Sequence, residues 1–130
     1  MNFEQILERE IIHQDCYNLK NFSLEEDCTI IDVGANIGIF SKYISELYPK
    51  SKVFSYELVG RNYKEAQERL KNFKNVCLEN QGVIGDSNPH GIFLHESNKG
   101  GHKVIFDDSL DYLNKDVFEK ENRIQITKEE

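Results

Sequence analysis

The stretch Asp32-Val33-Gly34-Ala35-Asn36-Ile37-Gly38 constrains this chain more than any other. It completes the β-branched run Thr29-Ile30-Ile31-Asp32-Val33, whose composition predicts a buried strand. It leads into Phe40, Tyr43, Ile44, Leu47 and Tyr48, which mark one helix face until Pro49 stops the helix. Glycine at such a strand-to-helix turn permits positive φ and lets the backbone approach a ligand closely. Amides at the helix start favour an anionic or polar group. With no ligand, the same glycines are simply those of a tight turn.

The segments that follow extend the pattern. Lys52-Val53-Phe54-Ser55-Tyr56-Glu57 reads as a second strand. Tyr63, Ala66, Leu70 and Phe73 predict a helix from about Arg61 to Asn72, and Asn75-Val76-Cys77-Leu78-Glu79 a third strand. The order β-α-β-α-β, with right-handed crossovers, places the strands 3-2-1 in a parallel sheet. The expected fold class is therefore α/β, a partial, Rossmann-like doubly wound sheet. Ahead of it, Phe3, Ile6, Leu7 and Ile11 predict an amphipathic helix over 3–13. After it, Ser87-Asn88-Pro89-His90-Gly91 is a turn. Ile92–Glu96 and Lys103–Phe106 read as a hairpin joined by Ser97–Gly101. Ser109–Asn114 reads as a short helix, and Arg123–Thr127 as a last strand with one open face. The expected organisation is one truncated domain: a lead-in over 1–28, a cofactor-binding core over 29–86, and a hairpin, helix and strand over 87–130.

Composition excludes several function classes. The chain has 130 residues and a net charge of −7, from 16 basic and 23 acidic side chains. A broad grip on nucleic acid needs a basic face, so no nucleic-acid partner is expected. No apolar run nears the ~20 residues that span a bilayer, and the N-terminus lacks a signal-peptide core. A cytoplasmic protein with no membrane partner is expected. Cys16, Cys28 and Cys77 are odd in number and form no CxxC, which suits reduced thiols. Cys28 and Cys77 lie in apolar runs and read as small core residues. His13 and Cys16 lack a second matched pair, so no metal site is expected. His90, His95 and His102 read as solvated loop or hairpin positions.

Two further acids stand at strand ends. Glu57 closes the second strand, where a carboxylate can accept both hydroxyls of a ribose. The bland alternative is a solvated strand-end acid. Asp86 lies just beyond the third strand and could hydrogen-bond an adenine amino group, or merely form the turn before Pro89. The dinucleotide fingerprint is Gly-x-Gly-x-x-Gly. Here Asp32 precedes the first glycine by two, and Asn36 replaces the second. A carboxylate there repels a pyrophosphate and suits a cation, such as the sulfonium and ammonium of S-adenosylmethionine. The residues favour that ligand over NAD.

Residues from about Thr29 to Asp86 resemble class I S-adenosylmethionine-dependent methyltransferases. IIDVGANIGIFSKYI and the later ENQGVIGDSN are similar to the FkbM family in particular. Gly91-Ile92-Phe93-Leu94 with Asn98-Lys99-Gly100-Gly101 resembles that family's hairpin, and Asp108-Ser109-Leu110-Asp111-Tyr112-Leu113 its following helix. The resemblance covers roughly residues 15–115. It implies that Asp32 faces the methionine end and that Gly34, Asn36 and Gly38 line the cofactor loop. It also implies that Glu57 holds the ribose and that Asp86 lies near the adenine. The implied activity is O-methyl transfer to a hydroxyl of a small molecule or sugar.

The family continues with a fourth strand ending in a Lys-Ile-Asp-Val-Glu-Gly type segment. Arg123–Thr127 stands where that strand begins, and Lys128-Glu129-Glu130 does not match the motif. No catalytic residue is assigned. The alternative function is a non-catalytic nucleoside-binding or truncated methyltransferase-like domain that lacks the substrate half. The polar alternation of Arg123, Gln125 and Thr127 suits an edge strand. Either these residues shield strand one, or strand one pairs across its edge with a second copy or a partner chain.

Overall fold

The computed structural model describes residues 1–83, 90–93, 103–106 and 123–126. The chain falls into two compact units, Met1–Val83 and Ile84–Glu130.

The first unit holds a parallel sheet in the order β1-β2-β3, with β1 Thr29–Val33, β2 Lys52–Tyr56 and β3 Val76–Glu79. The register sets Asp32 beside Ser55 and Val33 beside Tyr56; Tyr56 in turn pairs with Glu79. Helix α2 (Ile39–Leu47) joins β1 to β2, and α3 (Gly60–Leu70) joins β2 to β3. These two helices touch each other, α2 packs on β2, and α3 on β3. The α/β class and the strand order agree with the sequence reading.

The N-terminal helix is less regular than its periodicity predicts. α1 covers Phe3–Glu8, opened by a capping box in which Asn2 and Gln5 bond each other's backbone amides. A π-helical turn, Arg9–His13, then widens it. Ile11 of this turn is buried with Ile37 and Ile39, and Phe3, Leu7, Ile12, Phe40 and Tyr43 pack against that cluster. Arg69 of α3 ties this layer together. Its Nη1 donates to the Ile37 carbonyl, and its Nη2 lies 2.7 Å from Glu4 Oε1. The helix start, the loop after β1 and the end of α3 are thus joined through one side chain.

Two expectations about β1 and β3 are corrected. β1 is not buried on both faces: Ile31 is 67% exposed and Val33 59%. Cys77 is exposed too, rather than a core residue. Alternation explains both. Ile31, Phe54 and Cys77 share one register line and one face, opposite the face carrying buried Val53 and Ser55. Both crossover helices cover the Val53 face. Cys28 is half-buried, and Cys16 is exposed.

In the second unit, β4 (His90–Phe93) pairs antiparallel with β5 (Lys103–Phe106), as a hairpin requires, but it begins at His90 rather than Ile92: His90 and Gly91 pair with Phe106 and Ile105 and so belong to the strand, not to the turn expected over Ser87–Gly91. The last strand, β6 (Arg123–Ile126), pairs antiparallel with β4, giving the order β5-β4-β6. Its partner is therefore β4 rather than strand one. The short helix expected at Ser109–Asn114 lies outside the described residues.

Candidate functional site

The carboxyl ends of β1 and β2 meet at the loop 34–38. Gly34 has φ +81° and Gly38 φ +84°, so both glycines use the freedom their sequence positions imply. Asn36 has φ +54°. Asparagine tolerates that left-handed conformation better than other non-glycine residues, which accounts for an amide where the dinucleotide fingerprint has glycine. The loop is sewn to β2. The amides of Gly34 and Ala35 both donate to the Tyr56 carbonyl, each at 2.9 Å. The amide of Gly38 closes the turn on the Ala35 carbonyl at 2.9 Å.

The two glycines have different surroundings. A Cβ on Gly34 would meet nothing within 4 Å. A Cβ on Gly38 would sit 3.2 Å from Ala66 Cα, Ala66 Cβ and Leu70 Cδ1. Gly38 is therefore where α3 packs against the loop, and Gly34 borders open space.

Glu57 is only 6% exposed, so it is not a solvated strand-end acid. Its Oε2 accepts from the Asn36 amide at 2.7 Å, and its Oε1 from the Val59 amide at 2.8 Å. One carboxylate thus locks the loop after β1 and the residue that caps α3. An ionised carboxylate has about four acceptor positions, so roughly two stay available for other donors. Asn80 supports the same corner from the end of β3, donating from Nδ2 to the carbonyls of Glu57 (2.8 Å) and Leu58 (3.2 Å).

Asp32 ends the helix-facing side of β1. Its Oδ2 accepts from Ser41 Oγ at 2.5 Å, and Ser41 Oγ lies 2.8 Å from Ser55 Oγ. Burial pushes the Asp32 carboxyl above its ordinary pKa; the Ser41 hydrogen bond opposes this, and the charge of Glu57 adds to it. A raised folded-state pKa means stability that is present at low pH and lost as pH rises through that value. Asp32→Asn keeps an acceptor for Ser41 and removes the buried charge. It is expected to melt at or above the parent temperature near pH 7, with the gap closing toward about pH 4. Melting curves across that range check it, and a variant clearly less stable than the parent at neutral pH contradicts it.

The structure therefore gathers Asp32, Gly34, Asn36, Gly38 and Glu57 around one corner. Asp86 lies outside the described residues. Sequence reasoning missed Ser41, Ser55, Asn80 and Tyr17. Tyr17 lies within a tight turn whose Asp15 carboxylate accepts from the amides of Leu19 and Lys20. Its ring meets Phe40 edge-on, with centroids 4.9 Å apart, yet remains 54% exposed. Burial raises its pKa, as do the charges of Cys16, Asp32 and Glu10. The available signal for Ser41 was a hydroxyl set in the apolar stripe of α2. Tyr17 had none, because its position depends on how the N-terminal segment folds back.

The donor set is two acids, one of them hydrogen-bonded at each oxygen, beside a loop whose first glycine borders open space. Such a corner suits a ligand that brings both hydroxyl donors and positive charge.

No family model matches the chain. It is similar to a methyltransferase, sdnD, of Sordaria araneosa: 40% identical over 53 residues, 41% of this chain and 20% of that protein. It is similar to Methyltransferase 1 of Beauveria bassiana, 28% identical over 67 residues, 52% of this chain and 26% of that protein. A third likeness is to the AMB antimetabolite synthetase AmbE of Pseudomonas aeruginosa, 35% identical over 57 residues, 44% of this chain and 3% of that protein. The chain superposes on 40% of a Clostridium thermocellum protein, solved as an rRNA-methylase candidate, with a TM-score of 0.46 and 20% identity over 55% of this chain. The chain spans at most about a quarter of the length of these sequence relatives. What it shares with the two named methyltransferases is a segment, and over that segment its sequence is methyltransferase-like.

Proposed function

We propose that the corner formed by the loop 34–38 and Glu57 binds S-adenosylmethionine, and that the chain is the cofactor-binding part of an FkbM-type O-methyltransferase. The observation that carries this reading is the Glu57 carboxylate, buried at the end of β2 and held against the amide of Asn36 at 2.7 Å. A buried carboxylate against the loop that follows β1 supports its reading as the acceptor for ribose hydroxyls. The likeness to two methyltransferases supports the same reading.

The residues fit the ligand's chemistry. Glu57 accepts from the ribose hydroxyls with its remaining acceptor positions. Gly34 and Asn36 give the backbone close approach, and Gly38 fixes that loop against α3. Asp32 faces the ammonium and sulfonium end, directly or through water. Bound there, the ligand supplies an electrophilic methyl group to a hydroxyl acceptor, for which a small molecule or a sugar is proposed.

Calorimetric titration with S-adenosylmethionine, S-adenosylhomocysteine and NAD tests the reading. Both adenosyl ligands are expected to bind and to raise the melting temperature, and NAD to do neither. Saturation at about a hundred times Kd stabilises the folded state by about 2.7 kcal/mol. Absence of any response at millimolar adenosyl ligand overturns the reading. Binding with no methyl transfer to any hydroxyl acceptor favours a nucleoside-binding domain without chemistry.

A further inference from the structure

Asp32 is held through one of its two carboxylate oxygens. Oδ2 accepts from Ser41 Oγ at 2.5 Å, and Ser41 Oγ is 2.8 Å from Ser55 Oγ. Both serines are fully buried. Asp32 comes from β1, Ser41 from α2, and Ser55 from β2, where it is the register partner of Asp32. Three elements thus contribute to one chain of polar groups beneath the loop.

The direction of that chain follows from its chemistry. An ionised carboxylate only accepts hydrogen bonds, and a serine hydroxyl has one proton to donate. While Asp32 is ionised, Ser41 therefore donates to it, and Ser55 donates to Ser41. Protonation of Asp32 on Oδ2 removes that requirement and lets both hydroxyls reverse. Ordinary core packing does not need two buried hydroxyls at these positions. Alanine, or valine at the strand position, would fill the space without a polar group to satisfy.

We propose that Ser41, backed by Ser55, is the positioning residue for the cationic end of the ligand: it holds Oδ2 of Asp32 and leaves Oδ1 to meet positive charge. The proposal rests on the adenosyl-ligand reading above and adds a residue and a regulation to it. Binding of the cationic ligand is then coupled to the ionisation of Asp32. The neighbours that bias this ionisation are Glu57 just past β2 and Ser41 on α2, while the charge of Asp32 in turn acts on Tyr17 of the N-terminal segment. Glu57 opposes the charge, and Ser41 supports it. Tyr17 stays neutral near pH 7, since its own pKa is raised.

The test uses the full chain with Ser41→Ala and Ser41→Thr. Carbon-detected NMR follows the Asp32 carboxyl titration without ligand. Calorimetry between about pH 5.5 and pH 8.5 follows S-adenosylmethionine, which carries the cationic groups, and 5′-methylthioadenosine, which has the adenosine and neither cation. In Ser41→Ala, Asp32 is expected to titrate at higher pH than in the parent. S-adenosylmethionine should bind about tenfold more weakly at the acid end of the range, with affinity recovering as pH rises. The affinity for 5′-methylthioadenosine should stay at the parent value throughout. Ser41→Thr keeps the hydroxyl and should restore both readouts. An unmoved Asp32 titration overturns the proposal whether or not any ligand binds. Equal loss for both ligands overturns it as well, since it would mean that the loop itself had been damaged. A parent that binds neither ligand removes the functional reading and the ligand half of this proposal, and the carboxyl titration then decides the positioning half alone.

Discussion

Glu57→Ala is expected to cost about 2–4 kcal/mol of stability and to abolish the response to adenosyl ligands. The carboxylate accepts from the amides of Asn36 and Val59, at 2.7 and 2.8 Å, in a place almost closed to solvent. Hydrogen bonds to charged groups contribute about 1.5–3 kcal/mol each, and water entering the vacated space recovers part of that. Against a typical total of about 5–15 kcal/mol the loss is large. Two consequences are separable. The loop after β1 loses its anchor at Asn36, and α3 loses the anchor of its capping residue. Glu57→Gln retains one acceptor but turns an NH2 group toward the other amide, so it should recover less than half of the lost stability. Urea unfolding of the three proteins measures this, and ligand titration measures the rest. An alanine variant as stable as the parent would show that the two amides find other partners, and the locking role of Glu57 would be withdrawn. An alanine variant that still binds S-adenosylmethionine as the parent does would remove the ribose assignment.

The second large effect is expected at Gly38. Alanine there must adopt φ near +84°, and its Cβ would lie 3.2 Å from the Cα of Ala66. The left-handed backbone costs about 1–2 kcal/mol for a residue with a Cβ. Overpacking against a helix backbone adds about 1–3 kcal/mol, because a backbone atom cannot swing away as a side-chain tip can. A total of about 2–5 kcal/mol follows. Gly34→Ala provides the comparison. It has a similar φ, +81°, and open space around the added methyl, so only the backbone part, about 1–2 kcal/mol, applies. Thermal and urea unfolding should therefore rank the parent above Gly34→Ala, and Gly34→Ala above Gly38→Ala. Ligand affinity should rank differently. Gly34→Ala should weaken adenosyl binding by more than its modest instability explains, since its methyl points into the space proposed for the ligand. Equal stability of the two variants would contradict the packing role of Gly38.

Most of the first unit was legible from local pattern. Strong β-branched runs, helical spacing and a glycine turn give elements whose order allows one right-handed parallel arrangement. The positive φ of both glycines followed from the same reasoning, since no other residue adopts that backbone so cheaply. Element ends were less legible: α3 ends at Leu70 rather than Asn72, and α1 passes into a π-helical turn at Arg9. Periodicity near 3.6 cannot separate a π-turn from an α-turn over five residues.

The site was legible in outline and not in its linkages. Glu57 was expected to serve a ribose; the structure adds that it already holds the backbone on both sides. Gly38 was expected to line a cofactor loop; the structure adds that α3 rests on it. Ser41 and Ser55 carry no sequence signal of partnership, because hydroxyls in amphipathic elements are common and their contact joins residues of different elements.

What the sequence determined by itself is therefore the local conformational grammar: two glycines and an asparagine that accept left-handed backbone, apolar runs that become strands and helices, and acids at strand ends. Only the tertiary structure decided which strand face is bare, that β6 completes the sheet of β4, and that one buried carboxylate joins two loops. Backbone preference is a property of each residue and its near neighbours. Burial and hydrogen-bond partnership belong to groups that become close only after the chain has folded.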